Sequence, residues 1–524
     1  MGYMNEFPHS TMFDSDLREI LEIFQEVKEF PNKKLDLNYY NYVTPQMYGA
    51  KGNGVHNDTK ALEEAINSGK GVFIPEGTYK LDYIQITGDR INILGKGIFD
   101  FKSSNGGIKI NGNYNTIAGI TIKGNLFESG DLTQTKSLLH LVGNYNLVNN
   151  CSFVGGNLSG IQVSGSGNII KDSLFNKCNS HPVDGGDWGS IWFTNSTNDI
   201  EYTRNQIVGC TITEFDYSGI CFIGNFSHTN IRDNCLIGQN TIYTMGIYMF
   251  AGALKQCTII GNRIENIFNE GLALYETNND IAEEVVVNGN AVVNCQLYGI
   301  CYASNSEVLG GNIEISNNII RGGCRYPIFL KKIKRAIITS NMIDSTAIND
   351  TNIYCIERVE DALISGNSLK GNGIGIFVGG NSIITNNVII NSGQGIRNLR
   401  LDSLVTISNN NFINCVEAIG ECYNAFIMAN SFKDCSTIST NTESILGYEK
   451  NVEIPPCFNG RLESGTTSIT VYDGRENDIW IAIPIGQGSG VLSCNYDNIS
   501  KIVNVSSTDE ADNRAIKIIK LFNG

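Results

Sequence analysis

The sequence is short of proline, of charge and of long apolar runs. Only 9 of its 524 residues are Pro, 17% are charged, and the formal net charge is −15. The acidic balance disfavours nucleic acid and anionic membranes as partners, because phosphate groups are bound by basic surfaces. No apolar run reaches the roughly 18 residues that a membrane-spanning helix needs, so we expect no membrane span.

Histidine is also scarce, and cysteine does not follow a metal-binding pattern. The chain has 5 His and 15 Cys, and no Cys/His set has the spacing of a metal site. We therefore expect no metal and no cofactor. Many cysteines fall inside apolar stretches, which predicts buried thiols in a chain made in a reducing cytoplasm. The opening residues, MGYMNEFPHSTMF, lack an apolar stretch and a cleavage signal, so we expect no signal peptide.

What the sequence does contain is one repeated phrase, a small residue or turn followed by a short apolar strand, as in SGICFIGN, MGIYMF and YGICYA. A second phrase, Asn-x-apolar, runs out of step with the first and recurs every 19 to 29 residues. Two phrases per drifting period indicate a solenoid. The first phrase is anchored at Ile220, Ile247, Leu272, Ile300, Ile328, Ile353, Ile376, Ile396 and Ile419. The second begins at Asn205, Asn234, Asn262, Asn290, Asn318, Asn341, Asn367, Asn387, Asn411 and Asn430.

The residue types within each period indicate which solenoid forms. The apolar stretches are short, β-branched and alternating, and Gly and Asn separate them, which is typical of strands and bends rather than of helices. We predict an all-β chain, a right-handed parallel β-helix of about thirteen coils between Ile108 and Ile419, with its hand set by the crossover rule. The repeated Asn is predicted to sit at a bend in the left-handed region and to bond to the Asn of the next coil, which is a structural role.

Three divisions are predicted, at residues 1–40, 41–445 and 446–524. The first contains a short helix that Asp14 or Asp16 caps, with one apolar face from Leu17 to Val27. So short a helix does not fold alone, and it packs either on the solenoid or in an oligomer. The last division departs from the repeat, and its alternating stretches predict a small β-rich domain that caps the solenoid, assembles protomers or binds sugar.

The stretch YVTPQMYGAKGNGVHNDTKALEEAINSGKGVFIPEGTYKL predicts a helix from Thr59 to about Asn67, which Asp58 caps and Gly69 ends, followed by a strand. From Tyr48 to Leu81 this resembles the opening of the pectate-lyase-superfamily β-helix, found in polysaccharide-active enzymes and phage tailspike depolymerases. The resemblance implies that the helix covers the first coil and that the ligand is a polysaccharide. The motif holds no catalytic residue and does not choose a reaction.

Coil length and aromatic content favour one part of the solenoid as the functional site. Coils between Ile161 and Ile328 are longer than those after Ile353, and the extra residues are expected to leave the solenoid as loops. The same segment is rich in aromatic residues, on which sugar rings stack. The aromatic residues of the segment include Trp188, Trp192, Tyr217, Phe226, Tyr243, Tyr248, Phe250, Tyr275, Tyr298 and Tyr302. The alternative is that they stack in ladders inside the fold, which applies most to Tyr248.

Equal offsets from the anchors place two carboxylates on adjacent coils. Asp187 lies four residues before Ile191, and Asp216 lies four before Ile220. Neighbouring carboxyl groups repel, so one of them tends to hold a proton, and a glycoside hydrolase needs such an acid and base. The alternative is two solvated loop aspartates. The other catalytic candidates are Glu270 and Glu214, and the predicted substrate-binding residues are Trp188, Tyr217, Asp184, Tyr243, Tyr248, Tyr275 and Glu276.

Three functions remain open. The first is a tailspike-like glycoside hydrolase that cuts a bacterial surface or capsular polysaccharide. The second is a lyase on a uronic-acid polymer, for which Arg232, Arg263 and Arg325 are available; the basic run 331–335 fits an exposed strand edge or an oligomer contact better. The third is a non-catalytic glycan-binding adhesin or tail appendage. The family resemblance implies a homotrimer and a location on a virion tail or outside the cell.

Overall fold

The structure is a computed structural model that describes most of the repetitive part of the chain. It describes residues 41–101, 106–124, 137–156, 158–179, 188–195, 200–251, 254–276, 284–304, 309–345, 351–356, 359–398, 403–422 and 425–439, and also 457–461, 466–470, 479–485, 492–497, 502–507 and 515–521. The predicted helix within residues 1–40 lies outside this range, as do Asp184 and Asp187.

Three long parallel sheets build the solenoid of the described residues, and each coil after the first gives one strand to each sheet. Sheet A has the strands Tyr42–Val43, Gly71–Ile74, Asn92–Gly95, Thr116–Ala118, Leu147–Asn149, Ile169–Lys171, Gln206–Val208, Asn230–Arg232, Thr258–Ile260, Val285–Asn288, Gly310–Ser316, Ile333–Thr339, Asp361–Ser365, Asn381–Thr385, Val405–Ser408 and Ala425–Met428. Sheet B has the strands Asn53–Asn57, Thr78–Leu81, Ile98–Phe101, Thr121–Lys123, Ser152–Val154, Leu174–Asn176, Thr211–Phe215, Cys235–Gly238, Arg263–Ile267, Ala291–Cys295, Ile319–Arg321, Met342–Ser345, Ser368–Gly371, Val388–Ile390, Asn411–Ile413 and Ser431–Lys433. Sheet C has the strands Ile84–Thr87, Ile108–Asn111, Leu139–Val142, Ile161–Ser164, Gly189–Thr194, Ser218–Ile223, Met245–Ala251, Glu270–Glu276, Tyr298–Ser304, Tyr326–Lys331, Thr351–Ile356, Ile374–Val378, Gln394–Asn398, Glu417–Cys422 and Thr437–Ser439.

The predicted register of the anchors is confirmed. Ile191 pairs with Ile220, Ile220 with Ile247, and the series continues strand by strand to Ile419. Thirteen described strands of sheet C lie from Ile108–Asn111 to Glu417–Cys422, as predicted. The anchors and every second residue after them point inward into one continuous apolar core. The spacing of these inward residues therefore corresponds to the coils of the parallel β-helix.

The asparagines form two hydrogen-bonded ladders at two corners of the coil. In the longer ladder each side-chain amide donates to the carboxamide oxygen of the next Asn; for example, Asn262 Nδ2 donates to Asn290 Oδ1 at 2.9 Å. The residue before the ladder Asn, and not that Asn itself, takes the positive φ, for example Asn317 at 56° and Asn386 at 57°. Three predictions about these asparagines are thus corrected, because the positive φ lies one residue earlier than predicted, Asn410 and not Asn411 occupies the longer ladder, and Asn205 belongs to the shorter one. The longer ladder contains Asn234, Asn262, Asn290, Asn318, Asn341, Asn367, Asn387, Asn410 and Asn430, and the shorter contains Asn115, Asn146, Asn168 and Asn205.

A helix packs on the first coil. The helix Thr59–Asn67 follows the 3-10 turn Pro45–Tyr48, and it buries four apolar residues against the first strands. The predicted helix is confirmed, but Asp58 does not cap it through its side chain. Its carboxylate instead accepts hydrogen bonds from the backbone amides of Lys51 and Gly52 at 2.8 and 2.9 Å. Asp58 therefore closes the preceding loop.

The long coils contain a fourth, unpredicted sheet. Sheet D consists of the parallel strands Glu201–Thr203, Asn225–Ser227 and Leu254–Lys255, and it lies between sheets C and A in the chain. Phe226 of this sheet is buried against Phe222, with ring centroids 5.0 Å apart. Part of the extra length of these coils therefore widens the solenoid, whereas the sequence predicted that it would leave as loops.

Beyond the solenoid, the described strands pair antiparallel, in agreement with the predicted β-rich segment. They form two three-stranded sheets, Cys457–Arg461 with Ala515–Leu521 and Ile479–Ile485, and Thr466–Thr470 with Ile502–Ser507 and Leu492–Asp497.

Candidate functional site

The outward side chains of sheet C, from strand Gly189–Thr194 to strand Tyr326–Lys331, form a surface that we call the aromatic face. Its central row stacks in register, one residue per coil, because parallel pairing aligns equivalent positions roughly 4.8 Å apart. The central row contains Trp192, Cys221, Tyr248, Ala273, Cys301 and Phe329, and the row beside it contains Ile223, Phe250, Tyr275, Ala303 and Lys331.

Near the start of two of these strands the chain bends at a glycine, and this bend adds a third row of outward side chains. Gly271 and Leu272 both face the core, so the alternation breaks between them and Glu270 points outward. A methyl group on Gly271 would lie 2.6 Å from Val292 Cγ1, so no larger residue fits there without a shift of its neighbours. The same bend recurs at Gly299 and turns Tyr298 outward. Glu270, Tyr298 and Tyr326 consequently stand in one register.

The aromatic face has its own apolar cluster, separate from the solenoid core. Cys221, Met245, Tyr248 and Ala273 are buried in it although they are on the outside of the coil. The side chains packed around them are Trp192, Tyr217, Ile223, Phe250 and Tyr275. At one end, Tyr217 stacks with Tyr243, whose side chain is 53% exposed. Trp188 joins through Trp192, with ring centroids 6.1 Å apart.

Glu270 is the carboxyl group that contacts this cluster. The Tyr275 hydroxyl donates a hydrogen bond to Glu270 Oε1 at 3.3 Å, and the buried Cys301 thiol lies 3.6 Å from the same hydroxyl. Burial raises the pKa of Glu270, against the opposing effect of the Tyr275 hydrogen bond. Burial also raises the pKa of Tyr275, so this hydroxyl stays protonated and remains a donor. A carboxyl group with a raised pKa among apolar side chains has the character of a proton donor.

Asp216 and Glu214 precede the strand Ser218–Ile223 of the aromatic face in the chain, but their contacts differ. The Asp216 amide donates to the Asn179 carbonyl at 3.1 Å, and its carbonyl accepts from Thr241 Oγ1 at 2.9 Å, which holds this segment next to Tyr217. Glu214 is exposed at the end of its sheet B strand. It accepts from Asn176 Nδ2 at 3.0 Å and pairs with Lys177 at 3.3 Å, and these contacts lower its pKa.

Glu276 lies on the other side of the same strand as Tyr275. It lies two residues after Leu274 and four after Leu272 on the same strand, so it points inward as they do. Glu276 is 1% exposed. The Tyr302 hydroxyl lies near it, yet neither carboxyl oxygen makes a hydrogen bond of normal geometry to a described residue. Burial raises the pKa of Glu276 to about 7. Strand alternation alone predicts the inward position, so Glu276 does not line the aromatic face.

The structure thus brings together part of the predicted set. Trp188, Tyr217, Tyr243, Tyr248, Tyr275 and Glu270 belong to one face. Tyr298 was among the aromatic residues of the favoured segment but not among the predicted substrate-binding residues, and Tyr326 and Phe329 were not predicted. The three form a stack on the same face with centroids 5.0 to 5.8 Å apart. Their positions in the sequence could have identified them, because Tyr298 and Tyr326 lie two residues before an anchor residue and Phe329 lies one residue after one. Asp184 and Asp187 lie outside the described residues.

The basic residues that a lyase would use are dispersed. Arg232 is on sheet A and pairs with Asp233 at 3.0 Å, and Arg263 is on sheet B and pairs with Glu265. Of these three candidates, only Arg325 adjoins the aromatic face. The basic run 331–335 does not lie at a sheet edge, because it turns the corner from sheet C to sheet A and is paired on both sides.

Comparison with known proteins finds one family model that matches part of the chain. The profile of a family described as "Periplasmic copper-binding protein (NosD)" matches residues 205–382, about a third of the chain. The described residues hold no group of three or more His, Cys, Asp or Glu that fits a metal ion, so we derive no metal-dependent step for them. Among the described residues, no helix has the length and apolar character needed to cross a membrane.

The curated relatives match only short segments. The chain is 44% identical over 55 residues to "Depolymerase 1, capsule KN3-specific" of Klebsiella phage KN3-1, which covers 9% of this chain and 7% of that protein. It is 38% identical over 60 residues to "Preneck appendage protein" of Bacillus phage PZA, covering 12% of this chain and 6% of that protein. The matches thus span less than a tenth of the length of either relative.

A solved structure matches over most of the fold. The N-terminal fragment of bacteriophage phi29 gene product 12 superposes with a TM-score of 0.54 at 17% identity, covering 82% of this chain and 74% of that one. The predicted β-helix is therefore shared, at the level of the fold, with a solved phage protein.

Proposed function

We propose that this chain is a polysaccharide depolymerase of a phage tail, which hydrolyses glycosidic bonds of a bacterial surface or capsular polysaccharide. The fold, and relatives named as a capsule-specific depolymerase and a preneck appendage protein, support this class. The aromatic face supports a glycan ligand, because exposed rings such as that of Tyr243 offer flat apolar surfaces on which sugars stack. In this proposal the protein is carried on the virion.

The observation that carries the proposal is the position of Glu270. Its carboxyl group lies among aromatic rings, holds a hydrogen bond from Tyr275, and has a raised pKa, which are the properties of a general acid. In the proposed reaction Glu270 protonates the glycosidic oxygen while an ionised carboxylate activates water at the anomeric carbon.

Asp216 is the proposed partner carboxylate. It precedes the sheet C strand two coils before that of Glu270, which corresponds to roughly 10 Å along the axis at the strand spacing. Inverting glycosidases hold their two carboxyl groups roughly 6.5–9.5 Å apart, so we expect the pair of Glu270 with Asp216 to invert the configuration at the anomeric carbon. The sequence-based pair of Asp187 with Asp216 stays a separate prediction, which would retain the configuration at a separation of roughly 5–5.5 Å and invert it at roughly 6.5–9.5 Å.

The test compares Glu270→Gln with Glu265→Gln, which removes a carboxylate from the same coil on sheet B. Glu270→Gln is expected to lower depolymerisation of a cleaved capsular polysaccharide by about 10²- to 10⁴-fold, because the proton donor is lost. Binding of the polymer and the circular dichroism spectrum should change little. Glu265→Gln should cut at the wild-type rate. Near-normal cleavage by Glu270→Gln would refute the assignment, and Asp216→Asn, Asp187→Asn and Glu214→Gln would then be tested.

A lyase is the second candidate, because Arg325 lies over the Tyr326 ring on the same face, and Tyr326 stacks on Tyr298. β-Elimination leaves an unsaturated product that absorbs in the ultraviolet, whereas hydrolysis leaves none. A tail adhesin would bind the polymer and leave its chain length unchanged.

A further inference from the structure

Two cysteines occupy the same position on neighbouring coils near the end of the described part of the solenoid. The strand pairs on either side of them have the same offset of 20 residues. The flanking pairs are Ile413 with Lys433 on sheet B and Glu417 with Thr437 on sheet C. Cys415 and Cys435, which are also 20 residues apart, are therefore in register at the corner between these two sheets.

The two thiols have parallel orientations. Cys415 Sγ donates to the Ile413 carbonyl at 3.7 Å, and Cys435 Sγ donates to the Lys433 carbonyl, again two residues earlier, at 3.5 Å. Residues in register on adjacent parallel strands lie roughly 4.8 Å apart, and a disulfide bond accepts Cα atoms roughly 4.4–6.8 Å apart. Rotation of one thiol toward the other therefore brings the sulfurs together without a large shift of the backbone.

The two cysteines differ in their access to solvent. Cys415 is 1% exposed, whereas Cys435 is half-buried. Burial raises the pKa of Cys415 to about 11, and the Cys435 thiol is close enough to add to this rise. A reagent from solvent can thus reach Cys435 first, and Cys415 is the neighbouring thiol that can react with the product.

We propose that Cys415 and Cys435 form a disulfide bond when the chain meets a small-molecule disulfide such as oxidised glutathione, and that this bond closes one coil of the solenoid into a covalent ring. The segment between them gives one strand to each long sheet. The three strands of this coil are Glu417–Cys422, Ala425–Met428 and Ser431–Lys433. This inference concerns the solenoid alone and does not depend on the proposed function.

The reaction is two thiol–disulfide exchanges. The Cys435 thiolate attacks one sulfur of the small disulfide, which forms a mixed disulfide on Cys435 and releases one small thiolate. Cys415 then loses its proton to water, and its thiolate attacks the Cys435 sulfur and releases the second small thiolate. Two protein thiols are oxidised to one disulfide, and the small disulfide is reduced to two thiols. Oxidants of this kind act outside a reducing cytoplasm.

The ring would form on a coil that is less covered than the coils before it. Phe432 is half-buried, whereas Phe412, on which it stacks with ring centroids 5.3 Å apart, is fully buried. A coil of a solenoid is stabilised mainly by its neighbours, so a less covered coil opens more readily. A bond across 20 residues restricts the open state of this coil and should therefore slow its opening.

The experiment maps the bonds of the full-length chain. The reduced protein is incubated with an excess of oxidised glutathione at about pH 8, the remaining thiols are alkylated in denaturant, and the peptides are analysed by mass spectrometry without reduction. The peptides of Cys415 and Cys435 should be recovered as a linked pair that has lost two hydrogen atoms.

Two sets of cysteines in the same chain serve as controls. Cys235 is also half-buried, but its neighbours in register are Thr211 and Arg263, so it should carry glutathione or stay a thiol. Cys295 and Cys324 are neighbouring thiols that are both buried. Because no reagent reaches them in the folded chain, they should stay reduced.

Cys435→Ser changes the accessible thiol at a half-buried position and should leave Cys415 reduced. Cys415→Ser should leave Cys435 with a glutathione that persists. Hydrogen exchange of strand Ala425–Met428 should slow at least roughly tenfold on oxidation of the wild type, return on reduction, and stay unchanged in Cys435→Ser.

Three results would overturn the disulfide. These are recovery of Cys415 and Cys435 as thiols, a glutathione that stays on Cys435 of the wild type, or equally fast linking of the buried pair Cys295 and Cys324. A linked pair without any slowing of exchange would refute the stabilising role of the ring. Because cleavage of polysaccharide is not measured, none of these results bears on the depolymerase.

Discussion

The buried carboxyl group of Glu276 makes the local stability of the central coils depend on pH. Its pKa is raised from 4.5 to about 7 by burial. Between these values the native state holds a proton that the unfolded chain has released, so the stability falls as pH rises through this window. A shift from 4.5 to about 7 corresponds to about 3 kcal/mol of lost stability above neutral pH. Glu276→Gln keeps the shape of the side chain but removes the titration.

Hydrogen exchange with mass spectrometry measures this effect locally, which matters because a long repeat array need not unfold in one step. Peptides that contain strands Glu270–Glu276 and Tyr298–Ser304 are compared at about pH 5 and about pH 8.5, after correction for intrinsic exchange. In the wild type, the opening free energy of these strands should fall by about 2 to 3 kcal/mol more than in Glu276→Gln. Glu265→Gln, on the outer face of the same coil, should behave as the wild type. An identical pH response in wild type and Glu276→Gln would show that the buried carboxyl group is not held protonated.

Two further predictions concern the ladder and the assembly. Asn290→Ala, in the middle of the longer ladder, should lower the local opening free energy of its coil by about 2 to 4 kcal/mol in hydrogen exchange, because buried partners on Asn262, Asn318 and Ile259 lose their hydrogen bonds. Asn411→Ala, which breaks a contact with the Ser431 hydroxyl outside the ladder, should cost under about 1 kcal/mol, and equal losses would contradict the ladder's role. The chain is expected to form a homotrimer, partly through the apolar face from Leu17 to Val27; light scattering should give three times the chain mass, and a monomer at micromolar concentration would contradict it.

The coil and its register could be predicted from the sequence because every coil of a parallel β-helix has the same packing requirement. Each coil must bury an apolar residue at the same position, so Ile220, Ile247 and Leu272 carry the register in their spacing alone. The Asn ladder follows in the same way, since each amide needs the next one in the stack. The helix Thr59–Asn67 was predictable from its local pattern, but the partners of Asp58 were not, because they depend on a loop closed by tertiary contacts.

The candidate site was only partly predictable from the sequence. Aromatic content predicted Tyr217, Tyr248 and Tyr275 as substrate-binding residues, and the structure brings them into one apolar cluster on the outside of the coil. The sequence did not show that the extra length of these coils builds sheet D, or that the face extends to Tyr326.

The chemical roles of the acidic residues were decided by the tertiary structure. Glu270 and Glu276 are ends of one strand, yet the bend at Gly271 turns the first outward while simple alternation turns the second into the core. A carboxyl group acquires its pKa from the atoms that exclude water around it, and those atoms come from several coils. The repeat therefore determines where each side chain stands along the solenoid, and only the packed coils determine whether a carboxyl group faces the ligand or the interior.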